Sequence, residues 1–192
     1  MTGREILEMA STAVVGASAA IVAILAFVGL TEWRRRARFE AARKMLGLAK
    51  KFSSEIQQSR SPWGYQGEAD DRPRSTHEAE DNAAALDERY VRMKRLQPSA
   101  ETLRELMQST WEAEAVLKND LSREIQAFVH IHNKIALAVE QQYFRSKGAE
   151  STKDEFVEMM TIIYGPPKPD DAISTMLQEA TSQLQKTLKK HI

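Results

Sequence analysis

The sequence contains no cysteine. A thiolate nucleophile is therefore excluded, and the absence fits a reducing compartment such as the cytoplasm. Glycine is scarce at eight residues, and neither a Gly-rich phosphate loop nor a G-x-S-x-G elbow occurs. Strand-like alternation is missing, as is any repeat with a period of about 20–50 residues. Aromatic residues make up 7% of the chain and do not interleave with basic ones, so nucleic acid is a poor partner. Net charge is also absent, because 27 Lys and Arg balance 27 Asp and Glu. These absences remove most familiar catalytic and nucleic-acid-binding classes.

What is present is a run from Thr12 to Leu30, 19 residues without a charge. As a helix it spans roughly 28 Å, close to the ~30 Å hydrocarbon thickness of a bilayer. Only Thr12 and Ser18 carry hydroxyls within it, and a helix satisfies these from its own carbonyls. The residues before it (Arg4, Glu5, Glu8) are not basic, and the run is long for the apolar region of a cleaved signal. A retained transmembrane anchor is the expectation.

The zero net charge hides a polarity. Residues 1–11 carry one Arg and two Glu, and residues 32–51 carry eight Lys or Arg against Glu32 and Glu40. The remaining 18 basic and 23 acidic residues give −5 for residues 52–192. Positive flanks stay inside, which predicts a single-pass protein with its N-terminus outside and everything after Leu30 cytoplasmic. Trp33, Arg34, Arg35, Arg36 and Arg38 are the expected contacts to lipid head groups, at about 1 kcal/mol per nearby cation. On the anchor, Ala13, Gly16, Ala20 and Ala23 form a small-residue face suited to self-association into a homo-oligomer.

The rest reads as all-α: one transmembrane helix continuing into a cytoplasmic bundle of about five helices. The boundaries are a short tip (1–11), a membrane helix (12–31), a basic juxtamembrane helix (32–58), a loop (59–77) and a helical bundle (78–192). Phe39, Ala42, Leu46, Ala49, Phe52 and Ile56 form the juxtamembrane stripe. The loop holds Pro62, Trp63, Gly64, Tyr65 and Pro73, and its aromatics are expected to tack it onto the domain. A helix with coiled-coil-like spacing follows from about His77 to Leu96, ended by Pro98, with Ser99 capping the next. Leu103, Leu106, Thr110, Ala113 and Leu117 line that helix, beside Trp111. Asp120 is placed to cap the most apolar helix (Leu121 to Tyr143, closed by Gly148), which is the expected central one. Thr152 to Glu155 reads as a capping box. Tyr164 to Pro169 reads as a rigid turn, and Asp170 or Asp171 as the cap of a last helix through Leu188.

Chemistry-bearing constellations are few. His130 and His132 are two residues apart, about 200° around a helix, and cannot converge on one metal. No metal ligands and no cofactor are assigned. Arg123 and His130, as Arg-x6-His on an apolar helix, resemble the Arg-x(4–6)-His signature of the all-helical HEPN ribonucleases. That resemblance implies His130 acting on a ribose 2′-hydroxyl and Arg123 on phosphate charge. The plainer reading puts His130 at the edge of the core stripe and Arg123 in water. Glu112, Glu114, Glu124 and Glu140 are expected on solvated faces.

Glu32-Trp33-Arg34-Arg35-Arg36, the stretch Phe39 to Leu46, Arg60-Ser61-Pro62-Trp63, Arg89-Tyr90, Trp111 to Ala115 and Ile162-Ile163-Tyr164-Gly165 succeed one another along the chain. In this order they resemble a loose group of uncharacterised bacterial proteins with one N-terminal transmembrane helix and a helical cytoplasmic domain. The resemblance implies that architecture and a bacterial origin, and hence the bacterial inner membrane as the location, and carries no activity. The expected function is a non-catalytic, membrane-anchored interaction or scaffold module with an unknown cytoplasmic protein partner and membrane lipids around its anchor. The alternative is a membrane-acting effector or oligomeric regulator of the stress or phage-defence type. A HEPN-like ribonuclease stands third.

Overall fold

Helix α1 runs without a break from Gly3 to Ser59. The computed structural model describes residues 3–64, 67–76, 78, 80–146, 148, 152–165 and 171–191, and the side chains from residue 15 onward except those of Glu80 and Asp81. At its length of 57 residues, α1 is about 85 Å long. Its upper half is long and apolar enough to cross a membrane, and none of that window is buried in the fold. Val15 is 66% exposed and Phe27 68%. A core helix of the same composition would bury such side chains, whereas nothing in this fold covers them. The Ser18 hydroxyl donates to the Val15 carbonyl, as expected of a hydroxyl inside an apolar helix.

The lower half of α1 belongs to the bundle. Ala42, Met45, Ala49, Phe52 and Ile56 are fully buried. Their alternating spacing of three and four is a heptad seam. Phe39 falls outside that seam and is exposed, Leu46 flanks it half-buried, and Met45 and Leu48 occupy the core instead.

Helix α2 spans Glu80–Leu117 as one element and contains Pro98. The expected break at Pro98 does not occur, and Ser99 is not a cap. Ser99 is fully buried, and its hydroxyl donates to the Leu96 carbonyl at 2.7 Å. The physical reason is burial on both sides of the proline. Leu96, Leu103, Leu106, Ala113 and Leu117 all lie in the core, and this apolar face offsets the lost hydrogen bond. The same face buries Thr102, Ser109 and Thr110, narrow side chains that permit close helix approach. The Thr110 hydroxyl is satisfied by the Leu106 carbonyl at 2.8 Å.

Helix α3 (Ser122–Ser146) follows a short turn. Asp120 accepts from the Ser122 N–H at 2.8 Å, and Gly148 (φ +93°) lies just past the helix end. Helix α3 packs against α2 and against two later helices, α4 (Lys153–Tyr164) and α5 (Ala172–Leu188). Its Phe128 meets Phe52 of α1 edge-on at 5.6 Å. It is thus the central helix, although Leu137 on it is 58% exposed. Thr152 and Glu155 form the full capping box of α4, and Asp171 caps α5. Asp170 and the Pro166 to Pro169 segment lie outside the described residues. A short 3-10 turn, Lys189–His191, ends the described chain.

Cross-helix contacts fix the directions. Arg92 reaches the Ser61 carbonyl while Lys44 faces Glu112, so α1 and α2 are antiparallel. Asp171 meets Arg60 while Thr181 lies beside Ser53, so α5 also runs back toward the apolar segment. The lower part of α1 with α2, α3 and α5 forms a four-helix bundle, and α4 packs on α3 at the far end. Among the described residues there is no strand.

A helix continuous through Pro98 makes a direct prediction. Pro98→Ala restores a helical N–H and should raise stability, by up to about 3 kcal/mol. Chemical denaturation of the full chain checks this, and a loss of stability would show that the proline is needed for a genuine break.

Candidate functional site

The far end of the bundle is organised by Arg60, immediately after α1. Its side chain is 2% exposed and makes a bidentate pair with Asp171, at 2.5 and 2.9 Å. Two further guanidinium N–H groups donate to the carbonyls of Ile162 at 2.7 Å and Thr161 at 2.9 Å, in the last turn of α4. One arginine therefore joins the end of α1, the open carbonyls of α4 and the N-cap of α5. Charge-assisted bonds of this forked geometry are the strong class. Asp171 also accepts from the N–H and hydroxyl of Ser174. Burial pushes the Asp171 carboxyl up, but Arg60 and the Ser174 N–H outweigh it, and the net shift is downward. Gly165 follows α4 for a steric reason, because a Cβ there would overlap Arg60, the Thr161 carbonyl and Asp171.

Beside this clasp lies a second polar layer. The Arg92 guanidinium is stacked 4.1 Å from the Tyr164 ring, and the Tyr164 hydroxyl meets Glu88 and Gln142. Arg89 and Glu140 form a bidentate pair at 2.7 Å. The 59–77 loop is fastened to α2 by ion pairs, Arg95 with Glu68, Lys94 with Asp71 and Arg72 with Asp87, and Arg72 also pairs with Glu78 just before the helix. Its aromatics do not tack it down as expected, since Trp63 is 82% exposed and Tyr65 lies outside the described residues. Charge is the fastening because the facing surface of α2 presents Asp87, Lys94 and Arg95 rather than an apolar pocket.

The carboxylates also depart from the solvated-face expectation. Glu114 accepts from the Leu121 N–H at 2.7 Å, Glu124 from the Thr187 hydroxyl at 2.6 Å, and Glu140 holds Arg89. Glu112 stays exposed, 3.9 Å from Lys44. His130 is exposed, whereas His132 lies against Phe52 and reaches the Leu96 carbonyl. Burial pushes the His132 imidazole down, against the pull of that carbonyl. Among the described residues, no group of three His, Asp or Glu side chains is placed to hold a metal ion.

Two clefts flank α3. One, of about 280 Å³ between α3 and α5, is lined by both Arg123 and His130, together with Glu124, Met176 and Glu179. The two residues of the Arg-x6-His pattern thus share a cleft, but with two carboxylates beside them. The other, of about 510 Å³ between α3 and α4, is lined by Leu137, Phe144, Met159 and Ile162, with Lys134, Arg145, Glu155 and Glu158 at its polar rim. Phe144 is 58% exposed there, and Val157 on the neighbouring helix is also exposed. Sequence reading missed this groove because Leu137 reads as part of the broad apolar surface of α3, although it lies about 200° around the helix from buried Ile135.

Toward the apolar segment, Trp33 and Arg34, Arg35 and Arg36 are exposed, with Arg36 paired to Glu32 at 3.3 Å, while Arg38 is half-buried. Gly16, Ala20 and Ala23 are exposed on α1, and nothing approaches a Cβ built at Gly16. The Ala13 side chain lies outside the described residues. Comparison with known proteins finds no matching family model, no matching curated protein and no matching solved structure.

The clasp predicts a stability pattern. Arg60→Ala or Asp171→Ala each leaves a buried partner unpaired and should cost about 3–5 kcal/mol, whereas removing both together should cost less than the sum. Because the Asp171 pKa is lowered by folding, its contribution is complete above the ordinary carboxylate range near 4 and is lost as pH falls through the lower folded value. Denaturation across that acidic range should show a flatter profile for Asp171→Asn than for the unaltered chain.

Proposed function

We propose that this chain is a non-catalytic, membrane-anchored interaction module: α1 crosses the bacterial inner membrane and holds a helical domain on the cytoplasmic side. The observation that carries this reading is the continuity of α1. One helix has a fully exposed apolar upper half and a heptad seam buried in the bundle below. The basic residues 34–51 beside the apolar run favour the cytoplasmic side for the domain. The α3–α4 groove supplies a surface for a protein partner, because its apolar floor and charged rim match the way an amphipathic helix is received.

The shared Arg123 and His130 cleft favours a second reading, RNA cleavage of the HEPN type. Glu124 and Glu179 in the same cleft oppose a phosphate there. Crosslinking and affinity purification from native membranes separates the two. The interaction reading expects a partner held by the full chain and lost on Leu137→Asp with Phe144→Asp, with no effect of Arg123→Ala and His130→Ala. Recovery of monomer alone would contradict it. RNA cleavage that disappears in the Arg123 and His130 variants would replace it with the second reading.

A further inference from the structure

The antiparallel helices bring three basic segments, far apart in sequence, to the end of the bundle that adjoins the apolar part of α1. Lys44 faces Glu112, and Arg38 lies six residues before the one as Lys118 lies six after the other. Lys118 therefore stands near the level of Arg38. Thr181 lies beside Ser53, and nine further residues carry α5 and its terminal turn back to Lys190. Lys190 donates to Asn119 in the α2–α3 turn at 2.9 Å, which joins the chain's last turn to that turn. Lys118, Lys189 and Lys190 are all exposed.

Some carboxylates at this end are held by local donors, while Glu40 and Glu112 stay exposed. Glu114 accepts from Leu121, Asp120 from Ser122 and Glu124 from Thr187. A separate observation concerns Lys118, which adopts φ +57° just past the end of α2. Its N–H bonds to the Glu114 carbonyl at 2.8 Å, the single-bond form of a left-handed helix end. Glycine or asparagine occupies that position at lower steric cost. A lysine is held there at a conformational penalty.

We propose that this end of the bundle is an anionic-lipid docking surface, in which Lys118, Lys189 and Lys190 extend the Arg34 to Arg38 cluster across the base of the domain. The proposal rests on α1 spanning the bilayer. Arg38 is eight residues beyond Leu30, about 12 Å along the helix, and each head-group layer is about 5–7 Å thick. The lysines thus stand within about one Debye length, ~8 Å at physiological salt, of the anionic plane. The surface holds the bundle upright under the membrane rather than merely tethered to it.

The test uses the full chain in nanodiscs of phosphatidylcholine alone and of phosphatidylcholine with about one-third phosphatidylglycerol, at low and high salt. Hydrogen exchange is read in peptides covering 116–122 and 186–191. Slower exchange in the anionic discs at low salt is expected, with each lysine worth about fivefold in docked population. K118Q/K189Q/K190Q should abolish the difference while still entering the discs. K118G should weaken it while keeping or raising Tm. Equal exchange in the two lipids, persistence of the difference in the triple variant, or a lower Tm for K118G without loss of the lipid effect would overturn the proposal. Failure of the chain to co-elute with discs is read before exchange, and removes the anchor and the docking surface together.

Discussion

Helix α1 must satisfy two different environments with one uninterrupted backbone. Its upper half presents Val15, Ile24, Leu25 and Phe27 outward on all sides, and its lower half concentrates burial into the seam from Ala42 to Ile56. No loop separates the two regimes, so whatever fixes the upper half fixes the orientation of the lower. The other helices are arranged around that axis. Helices α2 and α5 return along it, and α3 completes the bundle through Phe128 on Phe52. A flexible linker would let the domain tumble relative to the apolar segment, whereas a helix transmits position and direction.

Where α1 ends, Arg60 takes over. An arginine with nearly no exposed surface would be costly in an apolar core. Here its donors meet Asp171 and the carbonyls of Thr161 and Ile162, so burial and satisfaction coincide. Such a site contributes less to net stability than to specifying one arrangement. It selects the packing in which α4 ends where α5 begins, and it places Gly165 where no side chain fits. The ion pairs of the 59–77 loop act alongside it, closing that end of the bundle with charge while the other end keeps exposed lysines.

Much of the architecture was legible in local signals. The apolar run, the capping box at Thr152 and the cap of the last helix, read as Asp170 or Asp171 and found at Asp171, each depend on neighbours in sequence, and each appears in the fold. The departures arise where distant residues decide. Pro98 reads as a stop because a proline removes a local bond, yet burial of Leu96 and Leu103 on either side carries α2 through it. Arg60 was noticed only as part of Arg60-Ser61-Pro62-Trp63, since its partners lie more than 100 residues away. Trp63 looked like a fastening and is exposed, because aromatic character does not reveal whether a pocket exists to receive it. The basic end was half legible: Arg34 to Arg38 are contiguous, but Lys118 and Lys190 join them only through the antiparallel return of α2 and α5.

The continuity of α1 from the apolar segment into the bundle is the claim on which the rest depends. A chain without cysteine permits clean spin labelling, so Thr31→Cys with Gln57→Cys places labels above and below the junction on exposed positions. Pulsed electron–electron distance measurement in lipid nanodiscs should give one narrow peak near 39 Å, 26 residues at about 1.5 Å each. A broad or substantially shorter distribution would show that the helix breaks between apolar segment and bundle, and would contradict a rigid continuation of one into the other.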